Sequence, residues 1–257
     1  MKEFQTLKAD LTKTRIIVSD AEEVSLDQGE IIVRIEKFAF TSNNVTYGAA
    51  GDAIGYWNFF PPSEDKKNEW GCLPMWGFAE ITVSENDELK VGERIFGFFP
   101  PAKFLTLSPI RISNHSFFDG KDHRKELPAV YNNYLRLSGE EGYEKSMDNI
   151  RALLFPLHIT AFCLCDSLEE DSYLGASQVI IISASSKTGI GLAQGLAEKD
   201  RTPKIVGLTS KNNVDFVLSL GCYEEVISYD DLDKIDKSLG SVMVDMAGNQ
   251  TILEALH

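Results

Sequence analysis

The sequence predicts a mixed α/β protein in two parts, a mostly antiparallel β region over residues 1–150 and an alternation of strands and helices over 151–257. Three observations predict it. In the first part, apolar and charged residues alternate in runs such as EIIVRIEKFAF, the two-residue period of a half-buried strand. In the second, short apolar runs are separated by helical stretches with brief links, which signals right-handed βαβ units on a parallel sheet. At 178–199, QVIIISASSKTGIGLAQGLAEK passes from a buried strand through a serine-rich turn into a helix, the order in which an anion-binding loop is built.

Taken in order, RIIVSDAEEV and EIIVRIEKFAF flank a turn at Asp27-Gln28-Gly29 and predict a hairpin between Ile16 and Phe40. The stretch SNNVTYGAAGDAIGYWNFFPP over 42–62 reads as a loop or short helix, with more ring surface than a solvated loop needs. Strands follow at Met75–Val83, Arg94–Phe99, Phe104–Leu107 and Tyr131–Leu137. Between the last two, IRISNHSFFDGKDHRKELP has no periodicity and predicts a long excursion or lid. Beyond residue 140 the reading is helix 144–170, strand 178–183, helix 189–199, strand 204–208, helix 211–220, strand 225–228, helix 230–238 and strand 241–245. The chain then stops inside what reads as a further helix. A doubly wound sheet has about six strands, so the four counted here predict a partial sheet, in a fragment or in a chain completed by another segment or subunit.

A chain of 257 residues suits two domains at roughly 100 to 200 residues each. Its 43% hydrophobic and 25% charged residues are those of an ordinary globular protein. A net charge of −14 and a pI near 4.7 repel nucleic acid and anionic lipid. The N-terminus lacks an apolar core and no run of 18 apolar residues occurs, so neither a secretion signal nor a membrane span is expected and the cytoplasm is the default location. Cys72, Cys163, Cys165 and Cys222 lack the paired spacing of a zinc site, and no metal is expected.

The 183–191 turn does not fit a P-loop, whose glycine positions are held here by Ile181 and Ser186. A short-chain dehydrogenase is ruled out by the position of the turn and by the absence of a tyrosine with lysine four residues on. Several segments instead agree, in order, with the medium-chain dehydrogenase/reductase superfamily. Ala184-Ser185-Ser186-Lys187-Thr188-Gly189 resembles the A-x-G-x-x-G loop of its quinone-reductase branch with serine for the middle glycine. Val91-Gly92-Glu93-Arg94-Ile95-Phe96-Gly97 resembles V-G-D-R-V-x-G, and Val130–Leu137 resembles a strand re-entering the barrel. Ile159-Thr160-Ala161-Phe162 resembles L-T-A-Y, Gly221–Tyr229 resembles G-A-D-x-V-I-x-Y, and Val244-Asp245-Met246-Ala247-Gly248 resembles V-D-x-x-G. The wording of SASSKT, GLTSKNN, GCYEEVISYDD and VDMAGN is most similar to an uncharacterised family on this scaffold, a domain of unknown function.

The resemblance implies a GroES-like β domain over 1–150 that takes the substrate and a Rossmann dinucleotide-binding domain over 151–257, with NADPH in a cleft between them. At the turn, Gly189 allows close packing of helix on strand, Ser185, Ser186 and Thr188 supply hydroxyl donors, and Lys187 adds a cation for pyrophosphate. Serines and a threonine here also serve as ordinary helix caps. After the next strand, Thr209, Ser210 and Lys211 stand where an acidic residue would bind a ribose hydroxyl, which favours NADPH over NADH. Thr160, Ala247 and Gly248 are implied as further cofactor contacts.

Zinc-binding members carry cysteine and G-H-E where this chain has Thr41–Tyr47 and Trp76-Gly77-Phe78-Ala79-Glu80. Oxyanion stabilisation would then fall to hydrogen bonds, from Asn44 and Tyr47, with Tyr47 as a proton donor and Tyr56, the third catalytic candidate, and Trp57 as cleft aromatics; the alternative is that Asn43 and Asn44 cap a turn and the rings are core. The function expected is zinc-independent hydride transfer from NADPH to a small activated alkene or carbonyl. The alternative is a non-catalytic NADPH-binding or interaction protein. A small-molecule substrate, no nucleic acid, no membrane, and a homodimer in the full-length chain are the expected partners.

Overall fold

Residues 2–18, 25–200 and 202–256 are described by the structure, a computed structural model. The alternation in the first half is realised as two antiparallel sheets. The smaller one orders β2 (Asp10–Val18), β1 (Lys2–Leu7) and β4 (Trp70–Gly71), with β1 central. The larger one has seven strands. Its order is β7 (Phe104–Leu107), β3 (Ile31–Phe38), β5 (Met75–Ser84), β6 (Arg94–Phe99), β10 (Asn133–Arg136), β9 (Ser116–Asp119), β8 (Pro109–Ile110). Its inner face buries Ile31, Val33, Ala79, Ile81, Ile95, Phe99, Phe117 and Tyr134. Inward and outward residues alternate along β3 and β9, as a one-sided core requires.

Two expectations for this half fail. The hairpin between Ile16 and Phe40 is not formed: Ile16, Ile17 and Val18 pair with Phe4, Glu3 and Lys2, while β3 lies between β5 and β7. Strand β1 is joined to β2 by Lys8 and Ala9 alone, so closing that pair costs less loop entropy than closing the longer turn. Residues 19–24 of the expected first strand lie outside the described residues. The excursion after Leu107 is no lid, because β8 and β9 extend the large sheet through β10. Arg124, 1% exposed, fastens it. Its guanidinium donates to Asp119 Oδ2, Asn132 Oδ1 and the Tyr131 carbonyl at 2.8 Å each and to the Tyr134 hydroxyl at 3.0 Å. An aperiodic segment is thus ordered by one satisfied polar hub, which hydrophobic patterning does not reveal.

The chain divides into two compact units, Met1–Leu153 and Leu154–His257. In the second, the parallel sheet runs β13 (Glu225–Ser228), β12 (Lys204–Thr209), β11 (Gln178–Ile182), β14 (Ser241–Asp245). Strand β11 is buried at every position and feeds both faces. Val179 and Ile181 pack with Leu192, Ala193 and Leu196 of α4 (Lys187–Ala197), Val217 of α5 (Val214–Ser219), and Ala161 and Cys165 of α3 (Asp148–Glu170). Ile180 and Ile182 pack towards Ile252, Leu253 and Leu256 of α6 (Gln250–Leu256). Helices on both faces and the order 3-2-1-4 make this a doubly wound sheet.

The helix expected over 230–238 is instead a 3-10 segment, Tyr229–Lys234, interrupted at Asp231. The one over 211–220 begins as a 3-10 turn, Lys211–Asn213. By length and composition the helical stretch Lys145–Glu170 could cross a membrane, with a mean hydropathy of 1.4. The same composition serves a helix that sets Ala161 and Cys165 into the core of the second unit.

Candidate functional site

In the first unit the stretch 42–62, expected as a loop or short helix, folds as short helices and a 3-10 turn. Thr41 caps α1 (Ser42–Ala49), and Asn44, Tyr47 and Gly48 form its buried face at i, i+3, i+4 spacing. A short α2 (Gly51–Ile54) ends at Gly55, whose φ of 83° only glycine adopts readily, and Tyr56–Asn58 follows as a 3-10 turn. The Trp57 indole fills the space beside Gly51 and Gly71, where an added Cβ would lie 2.1 and 2.3 Å from it.

The three residues expected to act in catalysis meet different surroundings. Asn44 Oδ1 accepts from the Thr41 N–H at 2.7 Å and its Nδ2 donates to the Pro74 carbonyl at 3.0 Å, so its amide secures backbone at both ends. The rings of Tyr47 and Tyr56 lie with centroids 4.5 Å apart, tilted by 37°. Burial pushes the Tyr47 phenol up to about 12, with Tyr131 adding to the shift and Trp76 and Asn43 opposing it. Burial also raises Tyr56. The Tyr56 hydroxyl lies 2.7 Å from that of Tyr131, a residue the sequence offered only as part of a strand. Phe59, Trp76 and Phe98 complete the aromatic surroundings of this pair. All the phenols stay neutral, and hence able to donate hydrogen bonds, across the physiological range.

In the second unit the turn after β11 is drawn tight. Ser183 takes a left-handed φ of 65°, its N–H donates to the Tyr229 hydroxyl at 2.9 Å, and the Tyr223 hydroxyl donates to the Ala184 carbonyl at 2.9 Å. Ser186 caps α4, accepting from the Gly189 N–H at 3.1 Å. A Cβ on Gly189 would lie 2.9 Å from the Ser183 carbonyl, so the first turn of α4 approaches the strand as closely as a glycine allows. The Lys187 and Thr188 amides are the first of the helix and have no intrahelical acceptor by construction. Lys187 is exposed.

Ser185 joins this turn to the next strand end. Its Oγ accepts from Thr209 Oγ1 at 3.2 Å and from Asn213 Nδ2 at 3.1 Å. Thr209 is buried, whereas Ser210 and Lys211 are exposed. The amides of Ala247 and Gly248 are held by Asp245 at 2.8 and 3.0 Å, which turns the post-β14 loop back on its own carboxylate. Thr160 is exposed and its hydroxyl donates to the Pro156 carbonyl at 3.0 Å. Asn213, Tyr223 and Tyr229 are the residues that motif reading passed over. Two tyrosines six apart in GCYEEVISY, both reaching back to the β11 turn, were the available signal.

The turns after β11 and β14 flank the point where the connecting helices change faces, α4 on one side and α6 on the other. Ligands of open α/β sheets bind outside the carboxyl ends of the strands at such a switch point. The glycine-tight strand-to-helix step and its hydroxyl, amide and ammonium donors fit a dinucleotide pyrophosphate. Among the described residues no three His, Cys, Asp or Glu side chains gather as a metal would require.

The fold pairs a barrel-like antiparallel sheet with a doubly wound parallel sheet. Over residues 38–257 the chain matches the family described as "Protein of unknown function (DUF2855)", and it belongs to that family. No curated protein matches it. Among solved structures it is similar to the yhdH oxidoreductase from Salmonella enterica in complex with NADP. That match has 16% identity and a TM-score of 0.50, and covers 100% of this chain and 70% of that one. TarJ of S. aureus in complex with NADPH gives 11%, 0.54, 99% and 67%, and CurA of Vibrio vulnificus in complex with NADPH gives 12%, 0.52, 91% and 59%. At these identities the likeness carries the fold. The chain spans about three-fifths of the length of CurA.

Proposed function

We propose that this chain binds NADPH and reduces a small activated alkene or carbonyl compound without zinc. The observation that carries the reading is the linked pair of strand ends, Thr209 and Asn213 held to Ser185 beside the capped start of α4. The Lys187 and Thr188 amides, with the Ser185 and Ser186 hydroxyls, would take the pyrophosphate. Lys211 and Ser210, exposed at the end of β12 where no carboxylate stands, would take a 2'-phosphate. Bound NADPH would supply hydride. The phenols of the first unit, neutral at working pH, would hold the substrate oxygen and return a proton to it.

The titration of NADPH fluorescence against the protein tests the cofactor half. Saturable binding, weakened about tenfold by Lys187→Ala, is expected; no binding by the native chain would remove the proposal. Turnover of enones, quinones and aldehydes tests the other half. Binding without turnover of any of them would point to a non-catalytic NADPH-binding protein instead.

A further inference from the structure

Tyr131, which no motif singled out, stands directly against a candidate donor. Its Oη is 2.7 Å from Tyr56 Oη, and the two rings meet edge to face with centroids 5.5 Å apart. Its placement is fixed from both backbone and ring. The Tyr131 carbonyl accepts from Arg124 Nη2 at 2.8 Å and its N–H donates to the Pro128 carbonyl at 3.1 Å. The ring packs on Phe98 at 4.6 Å and Phe59 at 5.3 Å. Arg124 is itself held by Asp119, Asn132 and Tyr134. Two phenols held in this way share one hydrogen bond but carry two protons, so whichever donates leaves the other's proton to be aimed elsewhere.

We propose that Tyr131 is a positioning residue for Tyr56: it donates to Tyr56 Oη and thereby leaves the Tyr56 proton for the oxygen of a bound carbonyl compound. Burial raises both phenols, but the bond between them acts in opposite senses, lowering Tyr56 and raising Tyr131, so Tyr56 is the better acid of the two. An O–H that accepts a hydrogen bond is polarised and donates more strongly. The Tyr47 ring lies against Tyr56 at 4.5 Å, tilted by 37°, but its hydroxyl interacts with Trp76 and Asn43, which leaves the Tyr131 hydroxyl, at 2.7 Å, as the partner of Tyr56. As hydride adds to the substrate carbon, the carbonyl electron pair moves to oxygen. The Tyr56 O–H bond then breaks, the proton passes to that oxygen, and the Tyr131 hydrogen bond stabilises the Tyr56 phenolate until water reprotonates it.

The inference rests on the reductase reading for its substrate, and the experiment separates the two. Tyr56 is replaced by 3,5-difluorotyrosine, whose phenol titrates near neutrality, and followed by 19F NMR with and without Tyr131→Phe. Loss of the donor is expected to make the fluorophenol about a tenfold weaker acid, the effect of one charge-assisted hydrogen bond. Unchanged or stronger acidity would overturn the proposal. With 9,10-phenanthrenequinone as probe, Tyr131→Phe should lower kcat about tenfold at nearly constant KM. An unaltered kcat in an active enzyme would also overturn it. Were the native chain to reduce no probe while Tyr131→Phe still weakened the fluorophenol, the reductase reading would fall and the donor assignment would stand.

Discussion

In the first unit Tyr47, Tyr56 and Tyr131 are set among Phe59, Trp76 and Phe98, and their positions are imposed by ring packing and by the buried Arg124 behind them. At the end of β11 the opposite holds. There the side chains are small and polar, half-buried except for the buried Thr209, and tied to one another by hydrogen bonds near 3 Å across two strand ends. A region ordered by packing tolerates little change in volume, whereas one ordered by half-buried hydrogen bonds tolerates truncation but loses ligand affinity. Stability and binding should therefore respond separately to substitutions in the two regions.

The largest effect expected is that of Arg124→Met, which leaves the Asp119 carboxylate, 2% exposed, without its cation. A loss of about 3–5 kcal/mol is predicted. Trp57, Trp70 and Trp76 are the protein's three tryptophans and all lie in the first unit, so their fluorescence during urea unfolding reports this loss selectively. Gly71→Ala should cost about 1–3 kcal/mol by driving a Cβ into the Trp57 ring. A full-strength wild-type transition in that variant would mean that Trp57 is not seated as described.

Alkaline pH probes the same region by charge. Tyr47 and Tyr134 are held up to about 12 by burial, against 10.0 for an ordinary tyrosine, so the unfolded chain releases these protons first. Stability should be unaffected by them below pH 10. Between pH 10 and 12 each should remove about 1.4 kcal/mol per pH unit. A tryptophan-detected transition that is flat in this window would contradict their burial. The smallest effect is expected at the strand ends: Ser185→Ala removes two neutral hydrogen bonds, about 1 kcal/mol at most in stability. Its mark should be a several-fold loss of NADPH affinity with the tryptophan transition unmoved.

What could be read from the sequence follows the same division. Strands β6, β7, β13 and β14 fall on their expected residues because alternation and apolar runs report burial directly. The β11 turn was legible because strand, turn and helix are adjacent in the chain. Strand β1 was missed: its central place in the small sheet depends on pairing with Trp70 and Gly71 of β4, more than sixty residues away. Arg124 was likewise hidden, since a lone arginine in GKDHRKELP looks solvated until Asp119, Asn132 and Tyr134 are brought around it. Tyr131 read as part of a strand, and only the fold places its hydroxyl on Tyr56.

The proposed NADPH site is tested most directly by the ratio of NADPH to NADH affinity. Titration calorimetry of the native protein should show NADPH binding about tenfold or more tighter than NADH, as expected where hydroxyls and a lysine replace the ribose-binding acid. Lys211→Ala should bring the two affinities together. Equal affinities in the native protein, or a preference that survives Lys211→Ala and Ser210→Ala together, would contradict the assignment of the 2'-phosphate to the end of β12.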